Sequence, residues 1–438
     1  MRIYIDCTDT YHSDLNTGIQ RVVRNLVNHS KEAGNALGVE CIPVMIVGDG
    51  YVPVQQLQYD FKKRSAFRLR ARLNDYYLQT MRAIAKRSPS AAFNRFILAS
   101  KHEFGLTRLV VQTLWPLSRM LRWRQRSPAT EIRLRPGQGD VLLLVDSLWN
   151  YNFLDTANIA KRDGAKVIAL IYDIIPISHP QLVDARNRIN FEACFPTLYS
   201  CADGYLCISD YTRKTLVDYF RSQPYCTGLD AKGFDFFHLG AELDAIDAKG
   251  AVRTGFRETF ESDSLAYLMV GTIEPRKNHV YLLRVFEQLW AEGSKASLVI
   301  VGRIGWLCDD VVTAIRTHPQ FGNRLFFFSD ASDAELDYCY AHADALLFPA
   351  IIEGFGLPLI EAQKKGLPVF ASDIPVFREV AGDSVAYFDH SDPATLALML
   401  QEHERTGIFP AKGPAGFTWP DWAASTSQML TRLLRMTA

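Results

Sequence analysis

The chain has 438 residues, 48 Lys plus Arg against 48 Asp plus Glu, 48% hydrophobic and 22% charged residues. This is ordinary composition for a folded protein and enough length for two domains with their own cores. No apolar run approaches the roughly 20 residues that span a bilayer, so no spanning helix is expected. The eight cysteines show neither a C-x2-C metal spacing nor a disulfide framework, and Met1–Asp6 reads as a strand rather than a secretion signal; free thiols and a cytoplasmic location are expected.

In chain order, Arg2–Asp6 reads as a short buried strand. An amphipathic helix opens at Asn16, with Ile19, Val22, Val23 and Leu26 on its apolar face and Gly18 at the turn. Arg21 on this helix faces either a cleft or solvent. A strand at 41–47 follows. Between Phe61 and Ser127 stand sixteen Lys or Arg against Asp75 and Glu103 alone. Since the whole chain is balanced, the remainder is acidic by the same excess. Leu69, Leu73, Tyr76, Tyr77, Met81 and Ile84 recur at helical spacing there, as do Leu106, Leu109, Val110, Leu114, Leu117 and Leu121, and Trp115 and Trp123 lie among the cations. Two readings of this basic helical insertion stand side by side: it lies on an anionic bilayer surface, or it caps the first domain with its charge solvated. Nothing in it resembles a nucleic-acid recognition motif, so no nucleic-acid partner is expected.

Strands at 140–146, 166–172, 204–208 and 234–239 continue the first half. Those at 265–271, 297–302, 324–329, 345–348, 368–371 and 385–388 build the second, with the seam near 241–262. Regular strand–helix alternation implies two parallel, doubly wound sheets with helices on both faces. The domains are set at 1–255, with the helical insertion at about 60–130, then 256–415, and 416–438 as a closing helix. In the second half an apolar strand ends at Gly271, and Arg276 and Lys277 stand on the loop before the next helix. Loops at the carboxyl ends of strands are where open α/β sheets take ligands. Two fixed cations there suit a diphosphate, Arg as a fork and Lys as a point charge.

The most specific segment is Glu353-Gly-Phe-Gly-Leu-Pro-Leu-Ile-Glu361. Gly354 and Gly356 admit close backbone approach, and Pro358 suits a first helical turn. The helix mouth so formed offers oriented N–H donors and the positive end of a helix dipole to phosphate or sugar oxygens. Glu361 sits one turn in, and Glu353 on the rim.

These nine residues resemble the E-x7-E signature, with its EGFGLP core, of the retaining glycosyltransferase family 4. Gly271-x4-Arg276-Lys277 is similar to that family's phosphate site, and its Glu-Pro-Arg-Lys-Asn wording resembles bacterial polysaccharide mannosyl- and rhamnosyltransferase-like members. The resemblance implies a GT-B fold, two Rossmann-like domains facing a cleft, and covers nearly all of the chain except residues 60–130. It implies that Glu361 holds the ribose hydroxyls, Arg276 and Lys277 the diphosphate, and Glu353 with the Gly354, Phe355, Gly356 and Leu357 backbone the sugar. Gly271 and Gly18 complete the donor site, although many members have two glycines where Gly18 stands alone. Many members also have a His-Asp pair where this chain has Tyr172-Asp173. Asp173 carries over as an active-site residue, and either Tyr172 or His179 is left to stand in for the imidazole. The implied co-substrate is a nucleotide-sugar donor, GDP-mannose or a GDP-deoxymannose, with a glycan or lipid-linked glycan acceptor. Neither metal nor cofactor is expected. A nucleotide-sugar epimerase or phosphorylase of the same fold, or a non-catalytic glycan-binding or scaffolding protein, stays open.

Overall fold

The computed structural model describes residues 1–13, 17–57, 133–149, 153–242, 252–261 and 264–437. The basic segment at 61–127, the expected helix start at Asn16 and part of the seam at 241–262 lie outside the described residues.

The described residues form two sheets. In the first, β1 (Arg2–Asp6), β2 (Glu40–Val47), β3 (Gly50–Pro53), β4 (Val141–Leu144), β5 (Lys166–Ile171), β6 (Gly204–Cys207) and β7 (Gly233–Phe236) lie in the order β3-β2-β1-β4-β5-β6-β7. Six of these match the expected strands to within a few residues. The edge strand β3 corrects the all-parallel expectation, because it pairs antiparallel with β2, Val44 opposite Pro53 and Val47 opposite Gly50. Gly48, at φ 66°, and Asp49 make the two-residue turn, and the edge position tolerates Pro53, which has no N–H to give.

The second sheet holds β8 (Ala266–Val270), β9 (Ser297–Val301), β10 (Leu325–Phe328), β11 (Ala345–Phe348), β12 (Val369–Ser372) and β13 (Ala386–Phe388), all parallel, in the order β10-β9-β8-β11-β12-β13. Its strands are mostly apolar, Ser297 and Ser372 standing at strand ends, because helices cover both faces. Leu346, Leu347 and Phe348 of β11 are fully buried, each such side chain contributing about 1.5–3 kcal/mol by leaving water. Chain order reverses between β8 and β11. A doubly wound sheet leaves a crevice at that reversal, outside the carboxyl ends of the two strands.

Seven helices bear on the site: α1 (Gly18–Ala36), α2 (Asp210–Ser222), α3 (His279–Ala291), α4 (Asp333–His342), α5 (Leu357–Lys364), α6 (Pro375–Ala381) and α7 (Trp422–Thr437). The apolar stripe of α1 buries Val22, Val23, Leu26 and Val27. Helix α7 buries Met429, Leu430 and Leu433 and lies against α1 and β7, so the end of the chain packs on the first sheet. Among the described residues no helix is long and apolar enough to cross a membrane.

Candidate active site

Two loops meet at the β8/β11 crevice. The first leaves β8 at Gly271, passes through a 3-10 turn at Pro275–Lys277, and turns into α3 at Asn278, a left-handed residue with φ 58°. The second leaves β11 at Pro349 and ends at Gly356, which caps α5. The Ile351 N–H donates to the Arg276 carbonyl at 2.8 Å and ties the loops together.

Side chains from both loops converge. Arg276 Nη1 lies 2.7 Å from Glu353 Oε2, and its Nη2 lies 2.6 Å from Glu274 Oε1. Lys277 Nζ pairs with the other oxygen of Glu353 and sits 4.9 Å from the centre of the Phe348 ring. Gly271 lies beneath the Lys277 stem, with Cδ and Cε 3.5 Å from where a Cβ would stand. Burial works against the Arg276 charge, but Glu353, Glu274 and Asp173 outweigh it and raise its pKa. Burial also opposes ionisation of Glu353, yet Arg276 and Lys277 hold it below the usual carboxylate value. Burial draws Lys277 down from the ordinary ammonium value, although Glu353 opposes this. Glu274, which the sequence reading missed, has its pKa raised by burial.

Asp173 reaches the same cluster from the end of β5. Its Oδ1 accepts the Ile175 N–H at 2.9 Å. Burial raises its pKa, with Arg276 the strongest opposing influence. The Tyr172 hydroxyl instead donates to the Val145 carbonyl at 2.7 Å inside the first domain, so Tyr172 does not stand in for an imidazole. His179 Nδ1 lies 2.9 Å from Ser178 Oγ, its neighbour in sequence.

Backbone geometry at the second loop is dictated by its glycines. Gly356 has φ 103°, and a Cβ there would fall 2.7 Å from the Phe377 ring. Gly354 abuts the first domain so closely that an added Cβ would stand 2.1 Å from the Tyr172 carbonyl oxygen. Phe355 packs its ring near His238 and Trp419, with centroids 6.1 and 5.9 Å away, while Leu357 packs against the core as the first residue of α5. Residues 352–356 are buried, yet the N–H groups of Gly354, Phe355 and Gly356 have no backbone acceptor among the described residues. Buried N–H groups are normally paired. Three adjacent ones beside two cations suit a ligand rich in oxygen.

Glu361, one turn into α5, is 2% exposed and is held from two sides. Arg21 Nη2 of α1 lies 2.7 Å from Oε1, and the Tyr340 hydroxyl of α4 donates to Oε2 at 2.8 Å. Arg21 therefore faces the cleft. Gly18, at the start of α1, has no atom of the described residues within 4 Å of where a Cβ would stand, so none of them requires glycine there. The structure thus groups Asp173, Glu353, Arg276, Lys277 and Gly271 in one cluster, with the Gly354–Leu357 loop on it. Glu361 is joined across the cleft to the helix that Gly18 opens. Tyr340 gave no local signal in the sequence, nor did Ser209, Thr212 and Glu379, described below.

Residues 254–406, which hold the second sheet and its loops, match the family described as glycosyl transferases group 1. The whole fold is similar to that of Anabaena HepE, solved in complex with UDP and glucose, with TM-score 0.54, 11% identity and coverage of 100% of this chain and 98% of that one. It is also similar to sucrose-phosphate synthase from Thermosynechococcus elongatus, with TM-score 0.51, 15% identity and coverage of 99% and 94%. These neighbours are GT-B glycosyltransferases, and the architecture here is GT-B. In sequence, the chain is 35% identical to the serotype-specific mannosyltransferase WbdA of Escherichia coli over 242 residues, 55% of this chain and 30% of WbdA. It is 32% identical to the O-antigen chain mannosyltransferase RfbU of Salmonella typhimurium over 170 residues, 39% of this chain and 46% of RfbU. The chain thus spans less than half the length of either relative.

Proposed function

We propose that the chain is a retaining glycosyltransferase. It moves mannose or a deoxymannose from a GDP-linked donor to a hydroxyl of a growing, lipid-linked surface polysaccharide. One observation carries this reading: Arg276 and Lys277 converge on Glu353 beside three loop N–H groups that have no backbone acceptor among the described residues, at the crevice where the sheet order reverses. The mannosyltransferase names of WbdA and RfbU support the choice of sugar.

In this reaction the bond from the anomeric carbon to the donor phosphate breaks, and its electron pair goes to the phosphate oxygen. Arg276 and Lys277 are fixed in advance where that negative charge grows, so they stabilise it without the reorganisation water would need. Glu353 and the loop N–H groups hold the sugar, Asp173 faces it from the first domain, and Glu361 binds the ribose hydroxyls by exchanging its contact with Arg21. The acceptor hydroxyl attacks the face the phosphate leaves, its proton passes to the departing phosphate, and the anomeric configuration is retained. The two cations supply the positive charge, so the step is written without a metal or cofactor.

Thermal unfolding in the presence of GDP-, UDP-, ADP- and dTDP-sugars tests the donor. A true donor at about 100 times its Kd stabilises by about 2.7 kcal/mol. GDP-mannose or a GDP-deoxymannose is expected to raise the melting temperature most, and no shift with any of the four classes would count against the reading. The basic segment 61–127 supports attachment to the inner face of the cell membrane. Binding to anionic liposomes at low salt, weakening as salt rises, is the expected result; no binding at low salt would remove the membrane from the account.

A further inference from the structure

The amino terminus of α2, in the first domain, engages the second domain at the site loop itself. Ser209 caps α2, its Oγ accepting the Thr212 N–H at 3.1 Å. Its own hydroxyl then donates to the Gly354 carbonyl at 2.7 Å, and the Thr212 hydroxyl stands 3.2 Å from the same oxygen. Ser209 is fully buried and Thr212 nearly so. Beside them, the next two N–H groups of the helix, those of Asp210 and Tyr211, donate to Glu379 of α6 at 2.7 and 2.8 Å. Glu379 Oε1 also lies 2.9 Å from His238 Nε2. Thus the first turn of α2 binds two separate elements of the second domain, the site loop and α6.

The Gly354 contact has a consequence at the neighbouring peptide atoms. In a planar trans peptide the carbonyl and the following N–H point in opposite directions. Fixing the Gly354 carbonyl on Ser209 turns the Phe355 N–H away from α2. Like the N–H groups of Gly354 and Gly356, that N–H lacks a backbone acceptor among the described residues. Without Ser209, this peptide, which lies between two conformationally permissive glycines, keeps only the Thr212 hydroxyl, 3.2 Å away, on its carbonyl.

We propose that Ser209, with Thr212 in support, is a positioning residue of the transfer site: it sets the Gly354 peptide so that the loop N–H groups meet the donor sugar, and only when the two domains are together. This rests on the glycosyltransferase reading above. It ties assembly of the sugar-binding backbone to domain closure, through a side chain that touches neither donor nor acceptor.

The test uses the full chain with Ser209→Ala, Ser209→Thr and Thr212→Val. Thr212→Val keeps its own N–H and so leaves the α2 cap in place. Ser209→Ala is expected to lower kcat for sugar transfer by about tenfold or more, as displaced catalytic geometry does, while the Kd for the nucleoside diphosphate, which lacks the sugar, stays within about twofold of wild type. Ser209→Thr is expected to restore the rate, and Thr212→Val to give a smaller loss in the same direction. Amide exchange at Phe355 and Gly356 is expected to quicken in Ser209→Ala. An unchanged kcat, a loss that Ser209→Thr does not restore, or a nucleoside diphosphate Kd that weakens as much as kcat falls would overturn the proposal. Absence of transfer by the wild-type chain would instead count against the functional reading. The exchange measurement then decides the positioning role alone, with unaltered exchange at Phe355 in Ser209→Ala overturning it.

Discussion

Sugar transfer is expected to slow by about a hundredfold or more when Lys277 is replaced by Ala, and by at least as much for Arg276→Ala, the loss typical of removing one pre-aimed donor from a developing anion. The two variants differ in what they leave behind. Without Lys277, Glu353 keeps Arg276 at 2.7 Å, so the fold is expected to survive with the rate selectively lost. Without Arg276, the buried Glu274 loses its partner at 2.6 Å and Glu353 one of its two. Breaking a buried ion pair by deleting one member costs about 3–5 kcal/mol, so Arg276→Ala is expected to be less stable as well. Steady-state rates measured beside denaturant unfolding separate the effects. Unchanged turnover in Lys277→Ala would remove that residue from the mechanism.

Gly354→Ala is expected to abolish nearly all transfer, through sterics rather than charge. The added Cβ would stand 2.1 Å from the Tyr172 carbonyl oxygen and 3.1 Å from Asp173 Cβ. The first neighbour is backbone at the end of a central strand, and it cannot swing aside as a flexible side chain would. Either the loop moves off β5 or the two sheets part. Displacing catalytic groups by about 1 Å can cost about a hundredfold, so a drop of that size or more is expected. The core cluster holding Ile5, Leu143 and Leu206 of the first sheet also takes in Leu268, Leu346 and Val369 of the second, but the added methyl meets neither sheet's ladder, so far-ultraviolet circular dichroism should change little. Small-angle scattering is expected to report a more open molecule, and full activity in a compact variant would refute the steric account.

Legibility in the sequence followed locality. Glycine, proline and glutamate between Glu353 and Glu361 have direct backbone consequences, so the loop and helix mouth could be read from nine residues. Strand–helix alternation likewise placed twelve strands, because buried parallel strands are apolar runs. The edge strand Gly50–Pro53 escaped because Gly50 and Pro53 bound its two apolar residues and leave no apolar run, although Gly48-Asp49 is a two-residue hairpin turn. What could not be read was pairing between distant parts of the chain. Arg21 meets Glu361 across 340 positions of sequence, and Ser209 meets Gly354 across 145; no spacing rule links such residues. Tyr172 was ambiguous for a further reason. Its neighbour Asp173 reaches the cluster, whereas the Tyr172 hydroxyl is used up on Val145, a choice made by packing within the first domain.

The most direct test of the central claim, that Arg276 and Lys277 form the seat of the donor's diphosphate, is calorimetric titration of wild type and Lys277→Ala with GDP, UDP, ADP and dTDP. Wild type is expected to bind one of them, GDP foremost, and the variant to bind it at least about tenfold more weakly, the 1.4 kcal/mol or more that a lost charge-assisted contact represents. Equal affinity in the two proteins, or no binding of any nucleoside diphosphate by wild type, would contradict the account.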